Sequence, residues 1–199
     1  MPVTLPVVGK VSYEPIRFVY GETGNSMPAI FHVGEKASAT FKLGAPLTLT
    51  GGNGYLLECT FAGADIVYGV AVEPGQNLSS DGVGIEGTTE GTAQNQVNSK
   101  VVPFGSRVKD GKAKVLAADA ESVFSIALKS GQVFTQAMIG QNYGITKDAT
   151  TGFWYLDNTV QAGNSQVATV VGVDPSCANT AADGSRVYFR FVSTKRFFV

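Results

Sequence analysis

Turn chemistry interrupts this chain almost everywhere, and that feature limits what it can build. Gly51-Gly52-Asn53-Gly54, Asp110-Gly111, Ser130-Gly131, Thr151-Gly152 and Asp183-Gly184 all stand between apolar segments. Glycine reaches the positive-φ conformations that tight turns need, and Asn, Asp and Ser side chains bond to nearby backbone there. The intervening segments are short and rich in Val, Ile, Phe, Tyr and Thr, which suit the pleated, half-buried surface of a strand. Ala39-Thr40-Phe41-Lys42-Leu43 alternates apolar and polar residues. Val187, Phe189 and Phe191 share one face, and Phe124, Ile126 and Leu128 oppose Ser125, Ala127 and Lys129. A period of two marks a strand with one face buried. Ile66–Val72 and Ala168–Val173 are nearly continuous apolar runs and read as strands buried on both faces. Short strands with turns between them imply an all-β sandwich or barrel.

One stretch competes with this reading. Lys112 to Ser130 lacks Gly and Pro for 19 residues, and Leu116, Ala120, Val123 and Ala127 would make a helical stripe. Two strands joined by a turn near Asp119 fit better, because Phe124, Ile126 and Leu128 keep the period of two. A short helical turn is expected at Thr135 to Gly140, with Thr135 as cap and Gly140 as stop. At most one or two such turns are predicted in the whole chain.

Residues 1–28 differ from the rest. Pro2, Pro6, Pro15 and Pro28 are four of the chain's eight prolines, and Val3, Leu5, Val8, Tyr13, Ile16, Phe18 and Tyr20 accompany them. Proline keeps such a stretch extended. Two readings stand side by side. It is an extended arm lying on its own or a neighbouring subunit, or it is an edge strand of the same domain. Residues 29–199 are expected to form one β domain. Within it, Asn77 to Asn98 carries Gly82, Gly84, Gly87 and Gly91 among Ser, Thr, Asn and Gln, and reads as a long surface loop.

The 199 residues are 44% apolar, enough for a core, but only 16% charged against about 25% in ordinary soluble proteins. Fifteen basic residues face sixteen acidic ones for a net charge of −1, and no basic run occurs. That balance argues against nucleic-acid binding through a charged face. The longest uncharged apolar run, Val167 to Val173, is far short of the roughly 18 residues of a membrane helix. The opening MPVTLPVVGK has no cationic region ahead of its apolar one and makes a poor secretion signal. Cys59 and Cys177 lie too far apart for a metal knuckle, and two buried free thiols are expected in preference to one long-range bridge. This usage fits folding in a reducing cytoplasm.

Catalytic chemistry is sparse. His32 is the one histidine and sits in the apolar run Ala29-Ile30-Phe31-His32-Val33, where a structural role is expected over that of a base. No serine lies in Gly-x-Ser-x-Gly. A metal site would need His32, Cys59 and Cys177 to converge without close-spaced ligands. Gly82-Val83-Gly84-Ile85-Glu86-Gly87 matches the dinucleotide pattern in letters only, with neither a strand before it nor a helix after it. Gly105 to Lys112 approximates a phosphate loop, but its glycine spacing is wrong and Ala113 replaces the metal-binding hydroxyl. It reads as a hairpin with Lys109-Asp110-Gly111-Lys112 as its turn. The scattered acids show no calcium-loop spacing. Two of them could meet as a glycosidase pair, which any β protein of this size allows. Asn77-Leu78-Ser79 is a glycosylation sequon only in a secreted eukaryotic chain. No catalytic residue, cofactor or metal is therefore predicted. Phe153-Trp154-Tyr155 and Phe197-Phe198 either form a binding platform or are strand residues with one face inward, the second being preferred. The platform reading keeps a carbohydrate-binding or adhesion module as the alternative function. A hydrolase using His32 or a carboxylate pair stands third.

The order of segments adds a resemblance. Phe41-Lys42-Leu43-Gly44-Ala45-Pro46-Leu47-Thr48-Leu49 is followed by Gly54-Tyr55-Leu56-Leu57-Glu58 and Ile66–Glu73. Val115–Asp119, Ser122-Val123-Phe124, Ile139–Ile145, Phe153–Asp157, Val170–Pro175 and Val187–Phe191 come after them. The series, from about Ala29 to Val192, resembles the capsid decoration (cement) proteins of tailed bacteriophages that carry a β-tulip domain. The resemblance implies a barrel-like all-β domain on the outer surface of the virion head, made in the bacterial host cytoplasm. It implies a major capsid protein as partner, neighbouring capsid subunits bridged, and self-association, with a homotrimer ahead of a dimer. It brings no catalytic residues, and neither a membrane nor a nucleic acid is expected as partner. Candidate interface residues are Val3, Leu5, Tyr13, Ile16, Phe18 and Tyr20 near the start, and Phe197 and Phe198 near the end.

Overall fold

A computed structural model describes residues 13–20, 28–36, 39–51, 54–61, 65–76, 112–161, 165–177, 179–180 and 185–198. The expected loop at 77–98, the Gly82–Gly87 pattern, the sequon, the turn at 109–111, Val3 and Leu5 lie outside these residues. Among the described residues the chain is all-β: thirteen strands and two short 3₁₀ turns, Gln136–Met138 and Ser193–Lys195. No helix among them is long and apolar enough to cross a membrane.

The first sheet is a closed ring. It comprises β9 (Val123–Leu128), β11 (Trp154–Asp157), β10 (Asn142–Lys147), β12 (Ala168–Val173) and β13 (Arg186–Phe191), and β13 pairs back onto β9. The β9–β11 pair is parallel and the others are antiparallel. β1 (Arg17–Tyr20) adds to the first half of β9, the edge that β11 occupies further along. Closure removes the open edges that a flat sheet would leave. Inside the ring, Phe124, Ile126, Leu128, Leu156, Val170, Val187 and Phe189 are fully buried.

The second sheet runs β2 (Ile30–Gly34), β8 (Lys112–Ala117), β6 (Gly69–Ala71), β4 (Pro46–Leu49) and β5 (Leu56–Glu58). It curls until Glu35, just past β2, bridges Leu56 at the start of β5. β3 (Thr40–Phe41) pairs with β7 (Gly75–Gln76). One hydrophobic cluster holds residues of both sheets, with Leu47, Leu56 and Val115 from the second beside the barrel residues. Glu58 joins them as well, accepting a hydrogen bond from the Trp154 indole (3.0 Å) and an ion pair from Lys147. At the far end Val67 bridges Arg196, and the Phe197 N–H donates to the Val67 carbonyl (2.9 Å).

Local expectations meet this architecture unevenly. The 112–130 stretch is indeed two strands, and Asp119 makes the turn by accepting bonds from the Glu121 and Ser122 N–H groups (3.0 and 2.7 Å). Because β8 and β9 belong to different sheets, this turn is the crossing between them. Thr135 stands at the N-cap of the first 3₁₀ turn without a side-chain cap bond, and Gly140 follows at φ +79°. Four expectations need correction, the last being the burial of both thiols. Ala168–Val173 has one covered face only, since it lies in a barrel wall whose other side meets solvent. Ile66–Val72 is a strand only at Gly69–Ala71, and Ile66 and Val72 at its ends are exposed. β9 departs the other way: Ser125 and Ala127 are as buried as Phe124 and Ile126, because the chain before β1 covers the outer face. His32 points to solvent, opposite Lys114. Cys59 and Cys177 are both free, but only Cys59 is buried.

Candidate functional site

Residues 13–16 form a strap across the barrel. Tyr155 of β11, Ala127 of β9 and Arg186 of β13 stand in register on its outer face. The Tyr13 ring stacks on Tyr155 (centroids 4.8 Å apart, 26° between planes), and its hydroxyl accepts from the Ser130 N–H (2.8 Å). At the other end of the row Arg186 grips the strap. Its Nη2 donates to the carbonyls of Ser125 (3.0 Å) and Pro15 (3.2 Å), its Nε to the Ser125 hydroxyl (2.9 Å), and its Nη1 to Glu14 (3.3 Å). Burial pulls the guanidinium below its ordinary value and Glu14 pushes the other way. Only a planar fork of donors satisfies four such acceptors at once.

Behind Ser125 the network continues into a carboxylate. Ser125 Oγ donates to Asp174 Oδ2 (3.1 Å), while the Ser176 N–H and hydroxyl and the Tyr188 hydroxyl donate to Oδ1. Burial raises the Asp174 carboxyl, but the donors outweigh it and hold it below the usual range. Arg186, Ser125 and Asp174 are all engaged in structural bonds, so the chemistry of this network is that of a latch.

The strap turns into β1 and forms one wall of an apolar groove of about 360 Å³. Its floor is a row of three in-register residues on the outer face of the second sheet, Ile30, Leu116 and Val70. Pro15, Ile16 and Phe18 stand along one side, with Leu43 and Val72 completing the lining. Leu116 and Val70 are covered, whereas Ile30 is 46% exposed, Leu43 44% and Val72 39%. Arg17 is the one charged residue among the described lining residues and is paired with Glu14 (2.9 Å), so the described lining is close to neutral. Gly44 makes the wall possible. Its φ is +76°, and a Cβ there would lie 2.6 Å from the Ile16 nitrogen and the Pro15 Cβ.

The candidate interface residues therefore have three different placements. Tyr13 and Ile16 are buried within the chain's own fold. Phe18 lies partly buried against the core, its ring edge-on to Phe124, and Tyr20 ends β1. Phe197 is 52% exposed beside Tyr68 and Phe198, and Phe198 stacks on Phe31 (5.3 Å). Within the 1–28 segment, Arg17–Tyr20 forms β1 and pairs with β9. Ile30, Leu43 and Val72 escaped notice in the sequence because each sits in an alternating or apolar run that predicts burial. Arg186 escaped because it precedes the alternating run at Val187.

Trp154 does not form a platform. It is 3% exposed, faces the core edge-on to Phe61 and donates its N–H to Glu58, as the inward-strand reading expects. Among the described residues no three His, Cys, Asp or Glu side chains gather as metal ligands. No family model matches the chain, and no curated protein or solved structure is detectably similar to it.

Proposed function

We propose that this chain is a structural virion protein, a capsid decoration protein of β-tulip type that binds outside a phage head and bridges neighbouring major capsid subunits. The observation that carries the reading is the groove beside the strap. It is a neutral apolar trough with Ile30, Leu43 and Val72 open to solvent, bordered by the short strands β1 and β2. Such a trough suits the burial of another chain's apolar residues, and a strand edge suits main-chain pairing. The all-β architecture and the order of segments from Ala29 to Val192 support the same reading. A clamp of this kind stabilises a closed shell through its preference for the joined state, which requires shape and many copies and no bond-making step.

Mass spectrometry of purified virions tests the proposal. The expected result is this chain at a copy number matched to the shell protein. Ile30→Asp with Leu43→Asp places charge in the trough without touching the core, and particles carrying it should lose the chain. Absence from particles, or retention of the double variant at full copy number, overturns the reading. Deleting residues 1–28 is a poor test because it removes Ile16 and β1 from the fold itself.

A further inference from the structure

A second cleft lies away from the groove and has a different character. It measures about 810 Å³ and is lined by Thr48, Thr50 and Leu57 of the β4–β5 hairpin, by Asp65 and Ile66, and by Lys36 and Phe197. Its apolar part is exposed: Phe197 is 52% and Ile66 39% accessible. The Phe197 ring is held in place. Its N–H is bonded to the Val67 carbonyl, and the ring packs against Tyr68 and Phe198 at 5.2 Å.

The polar part is also ordered. Asp65 accepts three bonds at a single oxygen, Oδ2, from the Thr60 N–H (2.7 Å), the Thr60 hydroxyl (3.1 Å) and the Phe61 N–H (2.9 Å). Burial raises its carboxyl, and these donors outweigh that and keep it ionised well into acid. The Thr50 hydroxyl accepts from the Tyr55 N–H (3.1 Å), which leaves its own proton to donate. Lys36 also lines the cleft, and the Lys195 charge favours the ionised form of Asp65.

We propose that this cleft binds a neutral saccharide. A pyranose has a flat apolar face of C–H groups and a rim of hydroxyls that both donate and accept. An ordered aromatic ring in one cleft with a fixed carboxylate and a hydroxyl donor matches both surfaces. The C–H face lies on Phe197 and Ile66, while hydroxyls donate to Asp65 and accept from Thr50. The expected affinity per sugar ring is low, with Kd about 1 mM. Many copies on one surface would raise the effective affinity.

Saturation-transfer NMR with maltopentaose, cellopentaose and chitopentaose, preceded by a glycan array to widen the panel, tests the proposal on the full chain. The expected result is saturable binding of at least one neutral glycan, weakened at least tenfold in Phe197→Ala and Asp65→Asn. Ile30→Asp should bind that glycan unchanged, which separates this site from the groove. Asp65 also orders its own loop, so if Asp65→Asn fails to fold, Phe197→Ala and Ile66→Ser decide the matter. No saturable binding across the array, or binding unaffected by Phe197→Ala, overturns the proposal whatever the virion assay shows.

Discussion

Arg186 and Ser125 meet across β13 and β9 in a double contact, the guanidinium donating to both the hydroxyl and the carbonyl of the serine (2.9 and 3.0 Å). This pair anchors the strap, because the same guanidinium reaches the Pro15 carbonyl and the Glu14 carboxylate. The strap in turn supplies a wall of the groove. The geometry of a surface trough therefore rests on a buried arginine on the opposite side of the strap.

Arg186→Ala should destabilise the fold strongly. It leaves the Ser125 hydroxyl and the Pro15 carbonyl without this donor and removes one of the two guanidinium groups beside Glu14, Arg17 being the other. Removing one partner of such a network costs about 2–4 kcal/mol. Arg186→Lys should recover only part of the loss, since an ammonium cannot span four acceptors. Urea denaturation of the three proteins measures this, and a loss below about 0.5 kcal/mol for Arg186→Ala contradicts the latch.

Gly44→Ala and Gly131→Ala form a matched pair. Both glycines have positive φ, +76° and +85°, but only Gly44 has atoms where the new methyl would go. Gly131→Ala should cost about 1 kcal/mol for backbone strain alone. Gly44→Ala should cost about 2 kcal/mol more, because Pro15 and Ile16 must move. Thermal unfolding of both reads the difference, and equal costs would show that the strap yields freely at Gly44.

Acid should weaken the protein in a defined window. Asp157 accepts bonds from Lys129, Gln132 and Thr159. Burial raises its carboxyl, but these bonds outweigh burial and hold it far below the usual carboxylate range. Asp65 and Asp174 are lowered in the same way. A carboxyl depressed in the folded state takes up its proton first in the unfolded chain, near pH 3.9. The stabilisation is therefore fully present above about pH 5 and is lost as pH falls below about 4 toward the folded values. Denaturation midpoints from pH 7 to 2 should show a plateau and then a decline. Asp157→Asn should lower the plateau and flatten the decline, and an unchanged slope argues against this account.

The two thiols should differ in reactivity. Cys59 is 2% exposed, and burial, then the neighbouring Asp65 and Glu58 charges, push its thiol well up. Cys177 is half-buried beside the Ser176 hydroxyl. A thiolate is the reacting species, so a disulfide reagent should label one cysteine in the native protein and two in denaturant. Rapid native labelling of both would mean that the Cys59 pocket opens easily.

The all-β character was readable because turns and alternation are local. Asp119, Gly140 and Gly152 occupy the turn conformations that their residue types favour. Val187, Phe189 and Phe191 fall on one buried face, as their spacing requires. A period of two says that a strand has two unlike faces. It does not say what covers each one. Ser125 is buried because Arg186, 61 positions away, and the strap lie on it. Leu43 alternates as a core residue does, yet it is exposed, because the chain turns at Gly44 to meet Pro15 and Ile16. Trp154 belongs to an aromatic triplet read as strand residues with one face inward, and its bond to Glu58, 96 positions back, shows which face that is. Such placements depend on which distant segments pack together. That choice is made by the summed burial and hydrogen bonding of the whole fold, a quantity no short window of residues contains.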